Sequence, residues 1–167
     1  EALRAIGVTL RRFPIRILMN VEHNRAMTQL LDALNPALAQ AIIPIGRPET
    51  LLEVRESMER GFMVGALGDR VAQGEKTVRC RFFGRETAFP IGPILLAALM
   101  GCPVILFFGL YRGGNRYDVH FESLAERIAL EPRRRQEQLG IWVQRYADRL
   151  EHHARLAPYN WFNFYDY

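Results

Sequence analysis

The sequence predicts a single α/β domain, residues 1–167, in which helices flank a mixed, mostly parallel sheet. Helical and extended patterns alternate along the whole chain, which is the order expected when parallel strands are joined by helical crossovers. The run "PVILFFGLY" is apolar throughout, as is typical of a strand covered on both faces. With 167 residues, 49% of them hydrophobic, the chain is long enough to bury one sizeable core.

The first half of the chain predicts three strands separated by helices. Leu3, Ile6 and Leu10 share one face of a helix in residues 1–12, and "PIRILMNV" follows as a strand rich in branched side chains. A second helix is predicted in "NRAMTQLLDALN", where apolar residues recur at helical spacing until a proline ends the pattern. The strand "AIIPI", the helix "PETLLEVRESMERG" and the strand "MVGALG" complete this half.

The second half predicts a glycine-rich loop, two helices and an antiparallel pair of strands. The loop, residues 68–93, contains a strand, "TVRCRFF", and leads into the apolar helix "GPILLAALMG", which Gly101 closes. "PVILFFGLY" and "RYDVHFE" should pair across the turn "RGGN". The last helix covers residues 134–156 and carries one apolar stripe. The stripe consists of Leu139, Trp142, Val143, Tyr146 and Leu150.

The composition and net charge indicate which classes of binding partner suit this protein. The net charge of +4 and the isoelectric point of about 9.4 suit phosphates, an anionic membrane surface or an acidic carrier protein. This excess of charge is too weak to indicate a nucleic-acid partner, because proteins that bind nucleic acid usually carry a concentrated basic stripe. Cys80 and Cys102 lie inside apolar segments without metal-ligand spacing, so we expect free, buried thiols. The apolar runs are shorter than the ~18 residues of a membrane span.

Charged residues follow two neighbouring predicted strands. Arg47 comes directly after "AIIPI", and Asp69 and Arg70 come directly after "MVGALG". In open α/β sheets, ligands bind at the loops that leave the carboxyl ends of strands. An arginine and a carboxylate placed there can bind a phosphate or a polar head group. An Arg47–Asp69 salt bridge that only ties two loops together is an equally open interpretation of the same residues.

Two longer stretches resemble a known enzyme superfamily. The order "IPIGRPETLLEVRESMERGFMVGALGDR", then "FPIGPILLAALMGCPVILFFG", is similar to the lysophospholipid acyltransferases, and within them to the bacterial lipid A late acyltransferase branch. The resemblance runs from Glu1 to the closing "WFNFYDY". It places Arg47 at the arginine of the second block, Asp69 at the acid of the third and Pro103 in the strand of the fourth. Arg70 replaces a glycine of the glycerolipid enzymes, which argues against their glycerol-phosphate selectivity.

The resemblance also implies a catalytic acid. The first block of the superfamily is a histidine followed, after four residues, by an aspartate or glutamate, and Glu1 matches that acid. Its histidine would lie five residues upstream, so we expect the chain to be truncated at its N-terminus and inactive alone. The histidines inside the chain lack an acid at this spacing. They are interpreted as a loop residue (His23), a strand residue (His120) and helix-surface residues (His152 and His153).

The implied activity is that of an O-acyltransferase of the lipid A biosynthesis type. A fatty acyl chain would pass from a thioester of acyl carrier protein or coenzyme A to a hydroxyl of a lipid or glycolipid. The histidine would remove the hydroxyl proton, and the acid would fix the tautomer of the imidazole. Arg47 and Arg70 would bind a phosphate of the acceptor or of the donor's phosphopantetheine arm. Neither a bound cofactor nor a metal is implied.

The expected setting is the cytoplasmic face of the bacterial inner membrane, with peripheral membrane contact and no nucleic-acid partner. The aromatic residues 159–167 would either contact lipid or pack back over the sheet. Phe82, Phe83 and Phe89 either line an acyl groove or, as we favour, pack in the core. The basic residues 133–135 are expected to be a solvated helix start rather than a lipid or carrier site. The alternative function is a non-catalytic module of the same fold that binds lipid or acyl carrier protein.

Overall fold

The computed structural model describes residues 14–21, 41–71 and 74–160, which belong to two units, Glu1–Leu67 and Gly68–Tyr167. Both units combine helices with strands, which agrees with the predicted α/β class. The described strands form one three-stranded sheet, which is parallel, and two two-stranded sheets, which are antiparallel. The expected single, mostly parallel sheet is therefore not what these strands form. The difference arises in the second unit, where tight turns fold the chain into hairpins.

The first unit is built on a central strand with a parallel neighbour on each side. β1 (Ile15–Met19) pairs with β2 (Ile42–Pro44) and with β3 (Met63–Gly65). Helix α1 (Thr50–Glu59) connects β2 to β3 as a crossover. These three strands and this helix were all predicted from sequence. The helices predicted in residues 1–12 and 24–35 lie outside the described residues.

Helix α1 is held to β1 by an ion pair. Arg16 Nη2 donates to Glu53 Oε1 at 2.6 Å. The helix begins two residues after the predicted start at Pro48 and ends at Glu59. The backbone leaves it through Gly61, whose φ of +83° is one that glycine adopts without strain.

The described part of the second unit contains two hairpins and two helices, a short one and a long one. In chain order its elements are β4 (Thr77–Phe82), β5 (Arg85–Pro90), α2 (Gly92–Met100), β6 (Val104–Tyr111), β7 (Tyr117–Ala125), α3 (Arg135–Leu156) and a 3₁₀ turn (Pro158–Asn160). Gly101, with a φ of +63°, ends α2 as predicted, and β6 pairs with β7 antiparallel as predicted. None of the helices in the described ranges is long and apolar enough to cross a membrane.

The β4–β5 hairpin contains the one strand of this unit that sequence reasoning missed. Phe83 and Gly84, with φ of 49° and 77°, form the two-residue turn and send the chain back along β4. A positive φ is rare for a phenylalanine, so nothing in the letters "RFFGRE" signalled this turn beyond the glycine. The loop predicted after β4 is consequently the strand β5.

The core of the second unit lies between the β4–β5 hairpin, α2, α3 and the start of the β6–β7 hairpin. Its fully buried members include Phe89, Ile128, Leu139 and Val143. Phe82 is 4% exposed and packs edge-to-face on Phe89, with ring centroids 5.3 Å apart. The core interpretation is therefore correct for these two phenylalanines, and an acyl groove lined by them is wrong. Phe83 is instead exposed, with the Arg155 guanidinium 4.9 Å from its ring centroid.

Candidate functional site

The first predicted site residue, Arg47, lies in an ordered turn at the exit of β2. Thr50 fixes this turn: its hydroxyl donates to the Pro44 carbonyl at 2.6 Å and accepts from the Arg47 N–H at 3.3 Å. The Thr50 N–H donates in turn to the Arg47 carbonyl at 3.1 Å. The backbone of Arg47 is thus held on both sides while its side chain is exposed. This is the predicted position, at the carboxyl end of a strand in a parallel sheet.

The second predicted pair, Asp69 and Arg70, lies at the beginning of the second unit, before β4. Asp69 is half-buried and Arg70 is exposed. Gly68 brings this segment close to α3: a Cβ built on it would lie 3.1 Å from Cζ of Tyr146. Only glycine fits at that distance without displacing the ring. The close packing of Gly68 against Tyr146 is therefore what sets the starting point of the Asp69–Arg70 segment.

Each of these residues is described within its own unit, Arg47 in the first and Asp69 with Arg70 in the second. The predicted catalytic acid, Glu1, lies outside the described residues. Its assignment and the binding roles of the other three stay predictions.

A polar cluster that the sequence did not predict lies between β7 and α3. Glu122 on β7 accepts hydrogen bonds from Arg149 Nε at 2.6 Å and Arg149 Nη2 at 2.8 Å. His153 Nε2 donates to Glu122 Oε1 at 2.8 Å, since an ionised carboxylate only accepts. The bonds from Arg149, aided by that from His153 and opposed by burial, lower the pKa of Glu122 from 4.5 to about 2. The carboxylate is therefore ionised at neutral pH.

The surroundings of His153 are those of a core residue. Its side chain is 4% exposed, and its ring stacks on Phe108 with centroids 4.1 Å apart. The ring of His120 lies 5.0 Å away. Among the described residues, neither Nδ1 of His153 nor Nε2 of His120 has a hydrogen-bond partner. The expectation that His153 lies on the helix surface is wrong, whereas His120 is a strand residue and His152 an exposed helix residue, as predicted.

A histidine with a carboxylate partner is the arrangement that general-base catalysis uses, but this one is closed to substrate. A hydroxyl would have to come within about 2.6–3.2 Å of Nδ1 to lose its proton there. That nitrogen is buried and the face of the ring is covered by Phe108. We therefore interpret Glu122, Arg149 and His153 as a clamp that fastens α3 to β7. It does not replace the histidine that the resemblance places upstream of Glu1.

A signal for this clamp was present in the sequence. His153 continues the apolar stripe of the last helix three positions beyond Leu150, and the alternation in "RYDVHFE" puts His120 and Glu122 on one face. The stripe itself is confirmed, because Leu139, Val143 and Leu150 are buried. What the sequence could not show is that a carboxylate and an imidazole on these two faces meet.

The described part of the second unit also has a surface hollow that the sequence did not predict. It measures about 820 Å³ and is lined by Arg81, Gly84, Gln144, Asp148, Glu151, His152 and Arg155. Several of its polar side chains are bonded within the protein. Glu151 accepts from the Phe83 N–H at 2.6 Å and from Arg155, and these bonds lower its pKa. Gln144 is bonded to the backbone of Arg81.

The structure also describes the basic residues 133–135 and the two cysteines. The basic residues 133–135 are exposed at the start of α3, where Arg134 pairs with Glu137 at 2.9 Å, and their interpretation as a solvated helix start stays a prediction. Cys80 and Cys102 are free thiols, Cys80 buried and Cys102 half-buried. Across residues 14–21, 41–71 and 74–160, no group of three or more histidine, cysteine or acidic side chains is suited to hold a metal ion.

Comparison with known proteins places the chain by its sequence. A model of the bacterial lipid A biosynthesis acyltransferases matches residues 9–166. The match includes Arg47, Asp69 and Arg70 and begins after Glu1. No curated protein matches the chain significantly.

Proposed function

The chain belongs to the bacterial lipid A biosynthesis acyltransferase family, and we propose that the protein extended upstream of Glu1 transfers a fatty acyl chain from an acyl thioester to a hydroxyl of a lipid or glycolipid, while the 167-residue chain alone is inactive. Family membership, over all but the first eight residues and the last one, is the observation that supports this proposal. The acyl donor is a thioester of acyl carrier protein or coenzyme A. The acceptor is a lipid A precursor or a similar lipid. The reaction takes place at the cytoplasmic face of the inner membrane, with peripheral membrane contact.

The proposed chemistry is general-base attack of the acceptor hydroxyl on the thioester. Glu1 and a histidine five residues before it form the catalytic pair. The imidazole takes the proton of the hydroxyl as its oxygen bonds to the acyl carbon, and the carboxylate of Glu1 stabilises the resulting imidazolium. The tetrahedral intermediate then collapses, the thiolate leaves, and the imidazolium returns the proton to the sulfur. No covalent acyl-enzyme is needed, because the hydroxyl attacks the donor directly.

The proposed binding residues are Arg47, Asp69 and Arg70. Arg47 suits a phosphate because its side chain is exposed while Thr50 fixes its backbone, so the guanidinium starts from a defined point. A guanidinium presents several N–H donors in a plane and matches phosphate oxygens better than an ammonium does. Asp69 accepts from an acceptor hydroxyl, and Arg70 adds a second cation.

The test is an acyl-transfer assay on four proteins. The first is the protein extended by its natural upstream sequence, and the second carries alanine at the histidine five residues before Glu1. The third and fourth, in the extended background, are Arg47→Ala and Arg55→Ala. Arg55 is the matched control, since it is an exposed arginine in the same unit and pairs with Glu59 one helical turn away. Loss of a general base typically costs about 10²–10⁴-fold in rate.

We expect the histidine variant and Arg47→Ala to lose turnover with an unchanged melting temperature, while Arg55→Ala keeps both. Full activity of the histidine variant would contradict the catalytic pair. A fall in melting temperature of Arg47→Ala, with normal activity per folded molecule, would favour the loop-tying salt bridge instead. Thioester and lipid binding without any transfer by the extended protein would indicate the non-catalytic module.

A further inference from the structure

Thr50 joins the two ends of the turn that carries Arg47. The turn begins after Pro44, the last residue of β2, and ends at Thr50, the first residue of α1. The Thr50 hydroxyl donates to the Pro44 carbonyl at 2.6 Å, and Arg47 lies three residues from each of them. The strand end is itself fixed, because the Ile45 N–H donates to the Met19 carbonyl of β1 at 3.0 Å. The hydroxyl therefore connects the start of α1 to the end of a paired strand.

The Thr50 hydroxyl bonds to the turn rather than to the helix. A side-chain oxygen that caps a helix accepts from backbone N–H groups of the first helical turn. Glu49, the residue before the helix, makes no such bond, and the Thr50 hydroxyl accepts from the Arg47 N–H at 3.3 Å. The Thr50 N–H donates to the Arg47 carbonyl at 3.1 Å. Both backbone groups of Arg47 are thus bonded to one residue.

The neighbours of Arg47 in the chain restrict its backbone further. Gly46 turns the chain with a φ of +91°, which glycine adopts without strain. Pro48 disfavours a helical conformation of the residue before it, because the proline ring would collide with that backbone. Within the described part of the first unit, the ion pairs involve other arginines, so no carboxylate there holds the Arg47 guanidinium. The order at this position is therefore an order of the backbone.

We propose that Thr50 is a positioning residue for phosphate binding, because its hydroxyl holds the backbone from which the Arg47 guanidinium reaches the phosphate. This inference rests on the phosphate-binding role proposed for Arg47. Ordering a flexible segment on binding weakens affinity, and the loss is smaller where the backbone is already fixed. The bonds to Pro44 and from Arg47 both need the hydroxyl, so its removal loosens the turn and keeps the arginine. The phosphate belongs to the donor's phosphopantetheine arm or to the head group of the acceptor.

The experiment measures the dissociation constants of two phosphate ligands by phosphorus NMR, in titrations with the protein extended upstream of Glu1. Phosphopantetheine represents the donor, and glucosamine phosphate represents the head group of a glycolipid acceptor. Thr50→Val removes the hydroxyl and keeps the shape of the side chain, whereas Thr50→Ser keeps the hydroxyl. Arg47→Ala, alone and combined with Thr50→Val, completes a double-mutant cycle.

Ser57→Ala is the matched control. The Ser57 hydroxyl lies on the same helix and also donates to a backbone carbonyl at 2.6 Å, that of Glu53. It lies about two helical turns beyond Thr50, away from the turn that carries Arg47. Its loss should lower the melting temperature and leave the affinity for phosphate unchanged. The comparison with Thr50→Val therefore separates an effect on stability from an effect on binding.

We expect Thr50→Val to weaken the binding of phosphate about twofold to tenfold, which is the effect of losing one hydrogen bond. Thr50→Ser should restore the affinity of the unsubstituted protein. Thr50→Val should change the affinity little when Arg47 is already alanine, because the hydroxyl acts through that arginine. The ligand whose affinity responds identifies the source of the phosphate, donor or acceptor.

Three results would overturn the inference. Affinity that falls in Arg47→Ala but not in Thr50→Val would reject the role of Thr50 and leave that of Arg47 standing. Affinity that is unchanged in Arg47→Ala, or no phosphate binding by the unsubstituted protein, would reject the binding role of Arg47 and the inference with it. Equal losses of affinity in Thr50→Val and Ser57→Ala would mean that lower stability, not the position of Arg47, causes the effect.

Discussion

His153 Nε2 lies 2.8 Å from Glu122 Oε1, and this contact joins the C-terminal half of α3 to β7. The same carboxylate accepts two hydrogen bonds from Arg149, so the side chain of Glu122 bonds to two basic side chains at once. The side chain of Glu122 is 27% exposed and that of His153 4%. Removing a partner from such a cluster costs more than the bond itself contributes, because the remaining groups stay shielded from water.

Glu122→Gln should destabilise the protein. The amide keeps the shape of the side chain but removes the charge that faces Arg149 and His153. We expect the free energy of unfolding to fall by about 1–3 kcal/mol in urea denaturation at neutral pH. Glu126→Gln, at an exposed position four residues further on, is the control and should change it little. An equal loss in both variants would mean that Glu122 is not part of a clamp.

The stabilisation by Glu122 should disappear in acid. The pKa of this carboxyl is lowered to about 2 in the folded protein, below its usual 4.5, so the unfolded chain binds the proton first. The contribution is therefore fully present above a pH of about 4.5 and is lost as the pH falls toward 2. Urea midpoints of the unsubstituted protein and Glu122→Gln, measured across this range, should converge. A difference that stays constant down to the lowest pH at which both fold would contradict the assignment.

Gly68→Ala should disturb the Asp69–Arg70 segment. Its Cβ would lie 3.1 Å from Tyr146 Cζ, and Tyr146 packs against Phe89 at a centroid distance of 6.1 Å. Because the ring has little room to move, we expect about 1 kcal/mol of destabilisation together with reduced acyl transfer by the extended protein. Gly140→Ala is the control: its Cβ would meet nothing within 4 Å, and we expect alanine there to stabilise the protein slightly, because Gly140 lies inside helix α3. If both variants had the same melting temperature and the same turnover, the packing of Gly68 against Tyr146 would not constrain the Asp69–Arg70 segment.

Cys80 should resist alkylation in the folded protein. Burial, with a smaller contribution from the charge of Asp148, raises the pKa of its thiol to about 11. At about pH 8, roughly one molecule in a thousand carries the reactive thiolate, and the side chain is 2% exposed. Iodoacetamide followed by peptide mass spectrometry should therefore find Cys102 modified well before Cys80. Both should react at similar rates in urea, and similar rates without urea would refute the burial argument.

The sequence predicts most described elements because their patterns are local. The branched run around Ile17, the helix that Gly101 ends and the hairpin across "RGGN" each carry their own signal. Strand β5 escaped prediction because its turn depends on a phenylalanine with a positive φ, which only the surrounding structure can hold. The number of sheets also escaped it, since pairing between distant strands leaves no local trace.

The candidate site was predictable to a different extent. Arg47 and Asp69 follow strand-like runs, and that position alone suggested ligand binding. The clamp was not predicted, because Glu122 and His153 are 31 residues apart and their meeting depends on how α3 packs. The hydrogen bonds of Thr50 that hold the Arg47 turn could not be predicted from the sequence either, because a threonine at a helix start has several possible hydrogen-bond partners.

The amides of Gln144 and Asn160 also have a consequence for how molecules of this protein meet one another. Gln144 bonds both the N–H and the carbonyl of Arg81 at the rim of β4, and Asn160 does the same for Tyr111 at the rim of β6. The unpaired backbone groups of an open strand edge can hydrogen-bond to a strand of a second molecule, and repeated addition of strands leads to fibrils. Each amide occupies a place that such a strand would need. Replacing Gln144 or Asn160 with leucine would leave the hairpin intact but expose the backbone groups of its edge strand, which would favour aggregation.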